Sequence, residues 1–211
     1  MEERLNVLVV EDEGIVSAGI VCCVQELGHT VTGQAFSGTE AIEQARQSKI
    51  DIILMDINLP DMTGIEALKE ISRIKKIPCI FITGYSDRKL ITEANSLNTT
   101  YGYLIKPVNQ NELAAAIEIS IKRFDERKEL ESSMKNAEQA LQNRKLVERA
   151  KGLLMDNFRM KEGEAMRYIQ KRSRDENKKI QIVARDVIEF FEAPARHSSW
   201  NFPVPFSHQI F

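Results

Sequence analysis

The 211-residue chain has only three cysteines, six prolines and a single tryptophan. Cys22 and Cys23 are adjacent and Cys79 stands alone. An odd count with no ligand spacing argues against both a disulfide framework and a zinc site. Three reduced, mostly buried thiols in a cytoplasmic protein are expected instead. No apolar run approaches the ~20 residues of a membrane helix; Ile52-Ile53-Leu54-Met55 is typical of the longest. The opening Met1-Glu2-Glu3-Arg4 is acidic and no long apolar core follows it, so no secretory leader and no membrane association are expected. Glycine and proline are both missing from residues 108–151, so nothing there punctuates a helix.

Charge is plentiful but unevenly placed. Residues 1–121 carry ten basic and 17 acidic side chains, net −7; residues 122–143 balance at five each; residues 144–192 carry 13 and nine, net +4. An acidic half followed by a basic quarter points to two modules with different partners. A net of +4 is too modest to identify nucleic acid by itself.

The first half alternates short β-branched runs with helical periodicity. Leu5–Val10, Thr30–Phe36, Asp51–Met55, Pro78–Thr83 and Tyr101–Ile105 read as strands. Between them, helices are expected through Ile15, Ala18, Val21 and Cys22, from Gly38, from Thr63-Gly64 and after Ser86-Asp87 through Leu90, Ile91 and Ala94, and a last one capped by Asn109. This order predicts an α/β fold: a flavodoxin-like, doubly wound, parallel five-stranded sheet of order 2-1-3-4-5. Beyond it, Leu113, Ile117, Phe124, Met134 and Leu141 fall near heptad positions, predicting a long coiled-coil helix that forms a dimer stalk. A break near Arg159–Gly163 and two apolar faces, one through Ala165, Met166 and Ile169 and one from Ile180 to Phe191, complete a small three-helix bundle with Asn177 as a cap. Residues 193–211, with Trp200, Phe202, Phe206 and Phe211, have no periodicity and are expected to be disordered or loosely docked, an aromatic docking peptide being the alternative.

The expected sheet gathers chemistry at one edge. Glu11 and Asp12 follow the first strand and Asp56 follows the third, and these strands are neighbours in a 2-1-3-4-5 order. Three converging carboxylates repel, and a hard divalent cation such as Mg²⁺ relieves the repulsion. Thr83 ends the fourth strand and Lys106 the fifth. A hydroxyl and an ammonium facing such a cluster suit a transferred phosphoryl group, with Asp56 as the nucleophile. Lys106-Pro107 is a candidate cis peptide.

Val9-Val10-Glu11-Asp12-Glu13, the run Leu54–Gly64, Thr83-Gly84 and Tyr103-Leu104-Ile105-Lys106-Pro107 resemble the receiver domain of two-component response regulators over residues 1–121. The resemblance implies phosphorylation of Asp56 by a sensor histidine kinase. It implies Mg²⁺ held by Asp12, Asp56 and the backbone carbonyl of Asn58, with Glu11 acting through water. It implies Lys106 on the phosphoryl group and Thr83 with Tyr103 as a switch pair. The acid pair is Glu-Asp where the family often has Asp-Asp.

The run Ala140–Met155, then Ala165–Ser173 and Val183-Ala184, resembles the ANTAR domain of transcription antiterminators, placed at 137–192 and overlapping a linker helix at 122–143. This resemblance implies binding of RNA hairpins in leader transcripts by a homodimer formed on phosphorylation. It departs from the family at Lys161-Glu162, where relatives often carry Ser or Thr as a helix cap. Candidate RNA contacts are Arg144, Lys151, Gly152, Tyr168 and Arg172, joined by Lys178 and Lys179. A Gly at 152 would permit close backbone approach, and Leu154 with Met155 are assigned to the core. The expected function is a phosphorylation-dependent RNA-binding antiterminator, not an enzyme. The alternatives are a DNA-binding or protein-binding regulator with the same switch, and a metal-dependent phosphatase, against which Asn58 counts.

Overall fold

The computed structural model describes residues 4–84 and 99–192. The chain divides into two compact units, Met1–Leu130 and Glu131–Phe211. The helix expected at Ser86–Ala94 and the aromatic C-terminal segment lie outside the described residues.

In the first unit, strands β1 (Asn6–Val10), β2 (Thr30–Ala35), β3 (Ile52–Asp56), β4 (Cys79–Thr83) and β5 (Thr100–Ile105) form one sheet in the order β2-β1-β3-β4-β5. Every pairing is parallel. Helices α1 (Gly14–Glu26), α2 (Gly38–Gln47) and α3 (Gly64–Ile74) and the start of α4 (Gln110–Phe158) cover the sheet. Strand parity decides which residue faces which helix. Leu8, Val10, Ile53, Met55 and Phe81 pack with residues of α2 and α3. Val7, Val9, Ile52, Leu54 and Ile80 pack with Ile20 and Val24 of α1 and with Leu113 and Ile117 of α4. Burial on both faces explains the near-continuous apolar runs; each large side chain so buried contributes about 1.5–3 kcal/mol.

The turns follow local chemistry. Gly28 takes φ +83° between α1 and β2, a conformation that favours glycine. Ser37 caps α2 by accepting from the Glu40 N–H, and Thr63 with Glu66 forms a reciprocal capping box on α3. Asn109 accepts from the Asn111 N–H at the start of α4. Asp61, in the loop after β3, accepts from the backbone N–H groups of Gly38 and Thr39 at 2.8 and 2.9 Å and from the Thr39 hydroxyl at 2.6 Å. Its carboxylate thereby satisfies orphan donors at the positive end of α2.

The second unit contains the end of α4, α5 (Glu162–Asp175) and α6 (Ile180–Glu192), packed around Ala150, Leu154, Ala165, Ile169, Val183, Ala184, Val187 and Ile188. The break expected near 159–163 is present, with Arg159 left-handed at φ 54°. At Lys161 the missing Ser or Thr leaves half a capping box: Glu164 accepts from the Lys161 N–H at 2.9 Å, but lysine offers no acceptor in return.

Several expectations change. Asn177 caps the end of α5 and not the start of α6: at φ 50° it donates to the Arg174 carbonyl while the Lys178 N–H reaches Ser173, a Schellman motif. Cys22 is exposed and Cys23 is half-buried against the core between α1 and the sheet, so only Cys79 is a fully buried thiol. Met155 is exposed while Leu154 is fully buried, because the α4 stripe that meets the bundle passes through 150 and 154. Leu113 and Ile117 belong to the core of the sheet, whereas Leu130, Met134 and Leu141 are exposed, so the heptad positions split between two roles. Residues 128–142 are exposed throughout.

Hydrogen bonds from Thr39, the side-chain one first, and from Gly38 lower the Asp61 carboxyl from 3.8 to about 2. A depressed folded value contributes stability above the ordinary carboxylate range and loses it as pH falls through about 2. Asp61→Ala is expected to cost about 1 kcal/mol at pH 7. In urea melts the difference from the parent protein should shrink as pH is lowered from 4 toward 2; a pH-independent difference would exclude this role.

Candidate functional site

Strand register carries the acidic residues to one place. Val10 pairs with Met55, so Glu11 and Asp56 follow side by side on neighbouring strands. Asp56 pairs with Ile82, Thr83 with Ile105, and the Lys106 N–H then donates to the Thr83 carbonyl at 3.0 Å. All five residues expected at this edge are therefore there. Asp56 is itself the last residue of β3, one position earlier than the loop expected from the sequence.

Among the described residues Glu11, Asp12 and Asp56 each offer an oxygen within 4.8 Å of the others. Glu11 and Asp56 are buried and Asp12 is exposed. The Lys106 ammonium lies 2.6 Å from Asp56 Oδ2 and 2.9 and 2.8 Å from the two Glu11 oxygens. The Asn58 N–H donates to Asp56 Oδ1 at 3.1 Å. Burial raises the Glu11 carboxyl above its ordinary value, partly offset by its hydrogen bond from Lys106. Burial also works against the charge on Lys106, but its hydrogen bonds to Asp56 and Glu11 outweigh this and hold the ammonium above the usual lysine value. The Lys106-Pro107 peptide is cis.

An oxygen-only donor set with one exposed member and two buried ones fits a hard divalent cation that keeps several waters. Backbone packing shapes the cradle. The Gly64 N–H donates to the Ile57 carbonyl at 2.8 Å, and a Cβ at Gly64 would stand 2.1 Å from the carbonyl oxygen of Asp56. Thr83 is buried, its hydroxyl 3.1 Å from the Gly84 carbonyl oxygen. Tyr103 is half-buried and stacked on Phe81 with ring centroids 6.1 Å apart; burial first, and Cys79 second, push its phenol up to about 12.

The basic residues of the second unit are placed less uniformly than the sequence suggests. Arg144 is exposed on α4. Lys151, whose side chain is 9% exposed, pairs with Glu148 at 2.9 Å and Glu162 at 2.8 Å. It thus joins α4 to the first residue of α5, and the Glu162 departure from the family pattern has a partner. Tyr168 packs against the bundle core and Arg172 is tied to Glu176. Lys178 pairs with Glu176 and Asp186, while Lys179 is exposed. Gly152 has open space where a Cβ would stand, so no part of the described chain packs against it. Arg149, not singled out from the sequence, makes a two-pronged contact with Glu192 at 2.9 and 2.7 Å. Pairs 43 residues apart have no signal in helical periodicity.

Gly64→Ala should force Asp56 or α3 to move. A loss of about 1–3 kcal/mol in denaturant unfolding is expected; full retention of stability would show that the close approach is not required.

Comparisons with known proteins agree with this geometry. Residues 7–118 match the response regulator receiver domain and residues 135–188 match the ANTAR domain. The transcriptional regulatory protein PdtaR of Mycobacterium tuberculosis is 35% identical over 189 residues, covering 90% of this chain and 92% of that one. A signal receiver domain of a modulated diguanylate cyclase from Desulfovibrio desulfuricans is 33% identical, covers 57% of this chain and 96% of its own, and superposes with a TM-score of 0.54. The receiver domain of a sensor histidine kinase from Pseudomonas aeruginosa, with a magnesium ion in its active-site cleft, is 29% identical, covers 57% and 99%, and gives 0.50. Both matched domains are regulatory modules, and among the described residues no helix is long and apolar enough to cross a membrane. The chain belongs to the two-component response regulators that join a receiver domain to an ANTAR domain, the architecture of RNA-binding transcription antiterminators.

Proposed function

We propose that Asp56 accepts a phosphoryl group from a sensor histidine kinase, and that this event controls binding of leader-transcript hairpins by the ANTAR domain, so that a terminator does not form. The observation that carries the reading is the cluster of Asp56, Glu11 and Lys106, with the ammonium 2.6 Å from the Asp56 carboxylate. An Asp56 oxygen forms a bond to phosphorus as the bond from phosphorus to the kinase imidazole nitrogen breaks, and the imidazole leaves. Lys106 then holds the phosphoryl oxygens in place of the bare carboxylate. Glu11, Asp12, Asp56 and the Asn58 carbonyl are the residues that would hold Mg²⁺, which supplies positive charge against those oxygens. Thr83 turns its hydroxyl toward the new charge and the Tyr103 ring follows inward, which makes the pair the switch.

Position 58 offers no carboxylate to serve as a general acid–base two residues after the nucleophile. Slow loss of phosphate from Asp56, without turnover of small phosphate esters, is the expected behaviour. Residues 122–143 act as the linker between a receiver at 1–121 and the ANTAR unit at 137–192. The exposed Leu130, Met134 and Leu141 support a coiled-coil homodimer formed on phosphorylation. Two RNA-binding units in one dimer raise avidity for paired hairpins without any new contact. A DNA-reading role for α6 is disfavoured, because Val183, Ala184, Val187 and Ile188 are committed to the core.

With Mg²⁺ and a small-molecule phosphodonor, the parent protein should take up acid-stable, base-labile phosphate and Asp56→Asn should take up none. Labelling of the variant at the parent level would refute the assignment. Light scattering should show the 24.1 kDa chain mass doubling on phosphorylation; an unchanged mass would remove the dimer step.

A further inference from the structure

The cations of the ANTAR unit fall into two groups. Lys151, Arg149, Arg172 and Lys178 are each held by a carboxylate. Arg167, Lys171 and Arg174 are exposed, and among the described residues no carboxylate holds any of them. Among the described residues, the one hydrogen bond from this group runs from Arg174 Nε to the Gln170 carbonyl on the same helix, at 3.4 Å. The three stand at i, i+4 and i+7 on α5, which puts them on a single face with Gly163 and Gln170, all exposed. Neighbours at this spacing are about 5–6 Å apart at Cβ. The opposite side of α5 is occupied by Ala165 and Ile169 in the core, with Tyr168 packed against it. The other exposed cations of the unit outside those ion pairs do not form such a row: Lys135 stands nine residues before the adjacent Arg144 and Lys145 on α4, Arg159 and Lys161 lie in the break before α5, and Lys179 and Arg185 stand singly.

The paired cations have their charge compensated and would need to break an ion pair to meet a phosphate. The row on α5 would not. Because helix rotation turns Tyr168 and Arg172 toward the bundle, the residues one position away, Arg167 and Lys171, face solvent. Guanidinium planes can also stack on unpaired bases, a role that an inward Tyr168 leaves open.

We propose that the outer face of α5, through Arg167, Lys171 and Arg174, is the surface that grips the RNA backbone; this rests on the RNA-binding reading above and specifies its contact residues. Phosphate contacts position a nucleic acid without reading its sequence. The row therefore sets affinity and salt dependence, and loop preference is left to other residues.

The test uses the full chain with Mg²⁺ and beryllofluoride as phosphoryl mimic, and a pool of stem-loop RNAs with randomised loops as probe. Arg167→Gln, Lys171→Gln and Arg174→Gln are combined in one variant; glutamine keeps helix propensity close to that of the residues it replaces. A second variant exchanges Arg and Lys at the three positions, keeping charge. A control neutralises Arg46, Lys49 and Lys75, exposed on the first unit. Counterion release is worth about 0.7–0.9 per cation in the slope of log affinity against log salt. The glutamine variant should therefore lose about 2 units of slope and at least ~tenfold in affinity near 0.1 M salt, with the ranking of loop sequences retained. The charge-keeping variant should recover the slope, circular dichroism should match the parent, and the first-unit control should bind as the parent does. Parent-level affinity and slope in the glutamine variant, or an equal loss in the first-unit control, would overturn the proposal. Failure of the parent protein to bind any member of the pool would instead defeat the RNA-binding reading itself.

Discussion

Charge compensation between the Lys106 ammonium and the buried carboxylates of Glu11 and Asp56 is the interaction around which the first unit is organised. Two buried acids at the end of adjacent strands repel each other and lose solvation. The compensating cation comes from elsewhere in the chain: Lys106 follows β5, two strands from β3 and three from β1. The parallel register of β1, β3, β4 and β5 is what delivers the three residues to one edge within hydrogen-bonding distance. Gly64 lets the Asp56 backbone settle against the start of α3, and Asp61 ties the same loop to the start of α2. The apolar layers on both faces serve this edge by holding the strands in register.

A buried pair of this kind is poor evidence for stability in itself, since desolvation offsets much of the attraction. Its value lies in being poised. An ammonium that balances a carboxylate in the resting protein is already positioned for a group of greater negative charge on the same oxygen. Thr83 and Tyr103 adjoin this edge through β4 and β5, and the Tyr103 ring rests on Phe81 in the apolar layer. A change of charge at one residue thus meets a packed interior, where arrangements tend to be discrete.

Ion pairs do different work in the second unit. Its core is small, built around nine buried residues, and Lys151, Arg149, Arg172 and Lys178 link or terminate its helices. In sequence these residues resemble ligands for a polyanion. In the folded chain they are partners of acids on the same or neighbouring helices, and the freely charged surface lies one residue further round α5.

Hydrophobic period and turn chemistry were enough to read five parallel strands, the first three helices between them, the uninterrupted helix after Asn109 and the break after Phe158. Each of these is set by local patterns, and strand-end position alone named Glu11, Asp12, Asp56, Thr83 and Lys106. Packing in three dimensions decided the rest. Whether a given Lys or Arg is free or paired depends on helix rotation and on acids such as Glu162 and Glu192 brought in by the next helix. The exposure of Met155 and the left-handed turn at Asn177 depend likewise on how α5 and α6 meet α4. Such contacts join residues whose spacing along the chain leaves no periodic trace, so charge is legible from composition, but its compensation only from the fold.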